Sequence, residues 1–130
     1  MREALLISDA PDGALPFSKA VWAGDLLFVS GQASVDAAGL YVEDSFEGEF
    51  ERSMRNLSDI LVAAGLGLDD VVQVNAYLGG ESYRRSFNDL YRGAFRAPYP
   101  ARTTVSCGIA NLKFEIDAIA YRRGPARTSS

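Results

Sequence analysis

Leu112-Lys113-Phe114-Glu115-Ile116-Asp117-Ala118-Ile119-Ala120-Tyr121 alternates with a period of two, setting Leu112, Phe114, Ile116 and Ala118 against Lys113, Glu115, Asp117 and Ile119. An extended chain separates such sets onto opposite faces, so the segment predicts a strand with one apolar face toward a core. Immediately upstream, Arg102 to Cys107 reads as a further strand, one face of which carries Arg102, Thr104 and Ser106. Before it, Tyr83, Phe87, Leu90, Tyr91 and Phe95 recur at helical spacing behind Ser82 as a cap, and Pro98 and Pro100 end the pattern. Arg84, Arg85 and Asp89 fall on the wet side of that helix.

Further back, Val71 to Leu78 predicts a strand with Val72, Val74, Ala76 and Leu78 on its core face and Val71, Gln73, Asn75 and Tyr77 on the other. The strongest helix precedes it. Asp44 or Ser45 opens this helix, with Glu47 placed as a capping-box partner of Asp44; Phe46, Phe50, Met54, Leu57, Ile60, Leu61 and Ala64 form its stripe, and Gly65 or Gly67 stops it. Toward the start of the chain, Glu3 to Ser8, Lys19 to Ala23 and Leu26 to Ser30 are short strands. The last two join at an Ala23-Gly24-Asp25 hairpin turn, and Gly31 ends the third. The order of three strands, helix, strand, helix and two strands predicts an α+β fold, a single mixed sheet with two helices packed on one face. One domain is expected over residues 1–121, followed by a disordered tail over residues 122–130.

At 130 residues and 48% hydrophobic composition the chain can bury a core without a disulfide or metal staple. Cys107 is the sole cysteine, which argues against a disulfide scaffold and against a Cys-based zinc site and suits a reducing compartment. Strand alternation sets it opposite Arg102 and Thr104, where a buried small hydrophobe is expected rather than a reactive thiol. The absence of histidine removes the commonest neutral-pH base and the Ser-His and Cys-His nucleophile pairs. Any catalysis must run on carboxylates, arginine, hydroxyls, backbone and water. A net charge of -4 disfavours nucleic-acid binding, and no run near the start is apolar enough for a secretion signal or membrane span, so no nucleic acid and no membrane partner are expected and the cytoplasm is the expected location.

Four places carry polar groups suited to chemistry. Arg102 presents a planar guanidinium that can hold a carboxylate through two parallel hydrogen bonds, although on spacing alone an ordinary surface ion pair is the commoner role. Glu115, between Phe114 and Ile116 and sharing its face with Asp117, could orient or activate a water, or belong to a solvated sheet face. Ser30-Gly31-Gln32 lets the backbone approach a ligand, or is a plain strand end. Phe17, Ser18 and Asn88 could line a pocket, although a phenylalanine such as Phe17 is more often simply core.

Taken together, Pro16-Phe17-Ser18-Lys19-Ala20-Val21, Leu27-Phe28-Val29-Ser30-Gly31-Gln32, Leu68-Asp69-Asp70-Val71-Val72-Gln73-Val74, Phe87-Asn88-Asp89-Leu90-Tyr91, Pro100-Ala101-Arg102-Thr103 and Phe114-Glu115-Ile116-Asp117-Ala118-Ile119-Ala120 resemble the RidA (YjgF/UK114) family in order and over nearly the whole chain. The resemblance implies a chorismate-mutase-like fold assembled as a homotrimer, with active sites in clefts between subunits. It implies hydrolysis of enamines and imines such as 2-aminoacrylate and 2-iminopropanoate to 2-keto acids and ammonia, with no cofactor and no metal. By position, Arg102 would clamp the substrate carboxylate and Glu115 would place the water. Ser30, Gly31, Asn88, Phe17 and Thr104 would contact the substrate.

Two positions depart from the family pattern. Phe17 stands where many members have tyrosine, and Thr104 where many deaminating members have cysteine; the loop Gly108 to Leu112 is also shorter than typical. These departures leave room for a pathway-specific deaminase of a larger enamine, an aminomuconate or aminoacrylate derivative, and for a non-catalytic trimer binding a small carboxylate metabolite. A nuclease activity has also been attached to the family, and the negative charge and missing histidine argue against it here.

Overall fold

The computed structural model describes residues 2–5 and 15–124. Its strands are β1 Glu3–Ala4, β2 Ala20–Ala23, β3 Leu26–Ala33, β4 Val71–Leu78, β5 Ala101–Ser106 and β6 Phe114–Tyr121, and its helices are α1 Phe46–Ala63 and α2 Arg84–Ala94. They form one mixed sheet in the order β1-β2-β3-β6-β4-β5, in which β4 and β5 run parallel and every other pair is antiparallel. The alternating segment β6 thus lies inside the sheet between β3 and β4. Its Phe114, Ile116, Ala118 and Ala120 are buried beneath the helices, with Phe114 meeting Phe50 of α1 at 5.0 Å and Phe87 of α2 at 5.6 Å between ring centroids. Together the fully buried Leu27, Leu57, Leu61, Val74, Leu78, Phe87, Phe114 and Ile116 close an α+β core on one face of the sheet.

No helix among the described residues packs on the other face. Leu26 pairs with Tyr121, Phe28 with Ile119 and Val105 with Tyr77 on it, and Leu26, Phe28, Tyr121 and Val105 are exposed. No helix among the described residues is long and apolar enough to cross a membrane.

Several local expectations change. Ser45, not Asp44, caps α1, its hydroxyl accepting from Gly48 N at 3.1 Å. Asp44 instead donates its amide to Glu49 and pairs its carboxylate with Arg52, so Glu47 has no capping-box role. Ser82 does not cap α2: a 3-10 turn, Glu81–Tyr83, precedes the helix, and Tyr83 stands at its N-cap without a side-chain bond. Val71 is buried and Val72 exposed, the reverse of the expected facing, because the β4–β6 register shifts between Val71 and Gln73. Gly31 does not end β3 either; the strand continues to Ala33 through a register shift between Val29 and Gln32. Cys107 does face away from Arg102, yet it is exposed rather than buried, since none of the described residues covers it.

The expected first strand reaches only Ala4, its remainder lying outside the described residues. Of the expected tail, Arg122 donates its amide to Asp25 O and Arg123 pairs with Asp70, while residues 125–130 lie outside the described part.

Candidate active site

The parallel β4–β5 register sets Arg102 opposite Val74 and Thr104 opposite Ala76, so both side chains share the helix-covered face. There the Arg102 guanidinium lies over two rings of α2, its carbon 4.9 Å from the centroid of Phe87 and 4.7 Å from that of Tyr91. One of its terminal nitrogens donates to Asn88 Oδ1 at 2.8 Å. Phe87, Asn88 and Tyr91 lie on adjacent turns of α2, which explains how one helix supplies both platform and pin. The remaining guanidinium donors have no partner among the described residues, and Arg102 lines a recess of about 280 Å³ together with Asn88, Tyr91, Arg92, Tyr99 and Pro100.

Two further polar atoms at this end are buried without a partner, the Tyr91 hydroxyl and Thr104 Oγ1. Burial pushes the Tyr91 phenol up, against a smaller opposing pull from Arg102. Tyr91 is the functional candidate that sequence reasoning missed, because its helical spacing marked it only as core. A separate recess, about 320 Å³ between Leu68, Phe95, Pro98 and Arg123, has its charges engaged in the Arg96–Asp69 and Arg123–Asp70 pairs.

Glu115 belongs to the opposite face, since it alternates along β6 with the buried Phe114 and Ile116 and stands against Tyr77 in the β4–β6 register. Its carboxylate packs against Gly31, where a Cβ would stand 2.5 Å from Glu115 Oε2. Ser30 beside it donates its hydroxyl to Ser18 O at 2.6 Å, tying the bulge to the segment that carries Phe17, itself 61% exposed. Asp117 shares the Glu115 face, and both its oxygens are bonded, to Asn75 Nδ2 at 2.9 Å and to the Tyr77 hydroxyl at 2.8 Å. Burial first, then the charge of Asp117, pushes the Glu115 carboxyl above its ordinary value. The bond to Asp117 pushes Tyr77 up to about 12.

The named residues therefore fall into two groups in one chain. Arg102, Asn88 and Thr104 gather under α2; Glu115, Gly31, Ser30 and, through Ser18, Phe17 gather on the open face.

The sequence profile of the endoribonuclease L-PSP family matches residues 7–122. The chain belongs to this family, which is also that of the RidA and RutC proteins. A RutC family protein of Pyrococcus horikoshii is 33% identical over 94% of this chain and 99% of its own length. The human 2-iminobutanoate/2-iminopropanoate deaminase is 29% identical, spanning 100% of this chain and 96% of its own. Among solved structures, RidA from an Antarctic Psychrobacter superposes with a TM-score of 0.81 at 29% identity, over 92% of this chain and 99% of that one. The RidA-family sheet with two helices on one face is thus the fold of this chain.

Proposed function

We propose that this chain is an enamine/imine deaminase, a hydrolase that converts small 2-imino acids and their enamine tautomers to 2-keto acids and ammonia. The observation that carries the proposal is Arg102, whose guanidinium carbon sits within 5 Å of the Phe87 and Tyr91 ring centroids, which is pinned by Asn88 and which lines a recess. A pre-oriented planar fork recognises a carboxylate bidentately at little ordering cost. The name of the human relative supports the same chemistry.

The substrate's imine carbon, next to the carboxylate, is already electrophilic. Water adds its oxygen to that carbon and the nitrogen gains a proton; the resulting carbinolamine expels ammonia and its hydroxyl becomes the keto oxygen. Glu115 takes one proton from the attacking water and passes it to the imine nitrogen, giving the carbinolamine, then takes the carbinolamine hydroxyl proton and passes it to the departing amine, so both water protons leave in ammonia; the role suits a carboxyl with raised proton affinity. Orientation by Arg102 and proton transfer by Glu115 suffice, and no metal or cofactor takes part.

Arg102 and Glu115 lie on opposite faces of one sheet, so a single chain offers no place where one substrate meets both. A homotrimer with sites between subunits resolves this by setting one copy's open face against another copy's α2–β5 edge. The exposed Leu26, Phe28, Val105 and Tyr121 on the open face suit such packing. The unpaired, exposed Cys107 suits the reducing cytoplasm.

The test is a coupled assay in which an L-amino-acid oxidase generates imines, with catalase present and semicarbazide as trap, and keto-acid release is timed. Accelerated release that disappears in Arg102→Ala is expected. Equal rates with and without the protein for every imine would defeat the proposal.

A further inference from the structure

Two carboxylates project from the same face of β6, two residues apart and hence roughly 7 Å along the strand. Their surroundings differ. Asp117 has both oxygens occupied, by Asn75 opposite it in the β4–β6 register and by the Tyr77 hydroxyl reaching across from the position opposite Glu115. Glu115 accepts no hydrogen bond among the described residues, and its carboxylate stands close to the Gly31 backbone. Hydrogen bonds to both oxygens favour the ionised form of a carboxyl, whereas partial burial without them favours the protonated form. Carboxyl pairs divided in this way separate into a fixed charge and a proton carrier.

We propose that Asp117, clamped by Tyr77 and Asn75, is the positioning residue for Glu115: it holds a fixed negative charge beside it, so that the proton of the pair resides on Glu115. The inference rests on the reading of Glu115 as the carboxyl that activates water. Among the described residues of one chain no other charged group competes for this role; in the proposed assembly the Arg102 guanidinium of the copy that completes the site also faces Glu115 and favours its ionised form, opposite in sign to Asp117. On β6 the neighbour is Asp117; from β4 comes Tyr77, whose proton is committed to Asp117; β3 offers Gly31 and Ser30, both uncharged. After β5, the Cys107 thiol acts on Tyr77, and Lys113 turns its ammonium to Glu49, Glu43 and Asp44 O. Both helices pack on the other face.

The experiment is a carboxyl carbon-13 NMR titration of the intact, assembled protein labelled at Glu Cδ and Asp Cγ, with Glu115→Gln and Asp117→Asn supplying the assignments. Asp117→Asn is expected to shift the Glu115 midpoint to lower pH, because it removes the negative charge beside it while keeping the side chain's size. A Glu115 midpoint unmoved in Asp117→Asn would overturn the inference. Should that variant fail to fold, Asp117→Ser removes the same charge, and a Glu115 midpoint unmoved there would do the same.

In turnover, the limb of the pH–kcat/KM profile that Glu115→Gln abolishes should move to lower pH in Asp117→Asn, which a purely structural role for Asp117 does not require. The NMR midpoints are read without substrate. Absence of turnover would therefore count against the deaminase reading alone, and an unmoved midpoint against the positioning role alone.

Discussion

Gly31→Ala separates catalysis from stability at one atom. The added Cβ would stand 2.5 Å from Glu115 Oε2, 3.0 Å from its Cδ and 3.4 Å from its Cγ. Ordinary contact distances require the Glu115 carboxyl to retreat by roughly 1 Å, and a flexible side-chain end does so cheaply. Gly31 is not among the glycines with positive φ, so alanine fits its backbone. Stability should therefore change by no more than about 1 kcal/mol, read as the urea midpoint at constant m-value. Catalysis should not escape: misplacing a proton-transfer group by that distance lowers kcat/KM by about 10- to 100-fold. In a Glu115→Gln background the same substitution should add little, since the two residues act through one contact. Wild-type kcat/KM in Gly31→Ala, or a stability loss above about 3 kcal/mol, would refute the idea that Gly31 exists to make room for Glu115.

Three further outcomes follow from the geometry. Arg102→Lys keeps the charge but loses the fork and the plane that lies over Phe87 and Tyr91, so kcat/KM should fall about 10- to 100-fold, read in the coupled imine assay. Thr104→Val removes a buried hydroxyl that has no partner, so the thermal midpoint should hold or rise while KM for a substrate that bonds that hydroxyl rises about 5- to 10-fold. For Glu49, burial alone would raise the carboxyl, but bonds from the Tyr41 hydroxyl, the Lys113 and Asp44 amides and the Lys113 ammonium hold it below its ordinary value. A lowered carboxyl stabilises the fold at pH values above its unfolded titration and loses that contribution as pH falls through the folded one. Glu49→Gln should thus cost about 2 kcal/mol near neutrality in urea unfolding, with the gap to wild type closing under acid.

Much of the fold was legible because periodicity reports burial directly. The alternation of β6 and the stripe of α1 are dictated by which side of each element meets the core, and Phe114, Ile116, Phe50 and Leu57 are buried as that pattern requires. Bulges are not legible, because one inserted residue leaves composition unchanged while reversing the facing on one side of it; the reversed Val71 and Val72 and the continuation of β3 past Gly31 have that cause.

The candidate site was legible residue by residue but not as geometry. Arg102 and Glu115 stand out in the chain, yet their placement on opposite faces depends on β5 pairing in parallel with β4 and β6 pairing antiparallel to it. The Asn75–Asp117–Tyr77 network depends on the same pairing. Tyr91 and Cys107 were assigned to the core by spacing alone, which cannot distinguish a ring that packs from a ring that also carries a guanidinium, nor a strand face covered by helices from one left open.

The most direct measurement is complementation between Arg102→Ala and Glu115→Gln, two variants expected to be inactive alone. Mixed, unfolded together and refolded at equal concentration, they would form oligomers in which some interfaces join an intact Arg102 of one copy to an intact Glu115 of another. Random assembly with sites between subunits makes about a quarter of those interfaces complete, so imine hydrolysis should return to about a quarter of the wild-type rate. A mixture as inactive as its two parents would contradict a site shared between subunits.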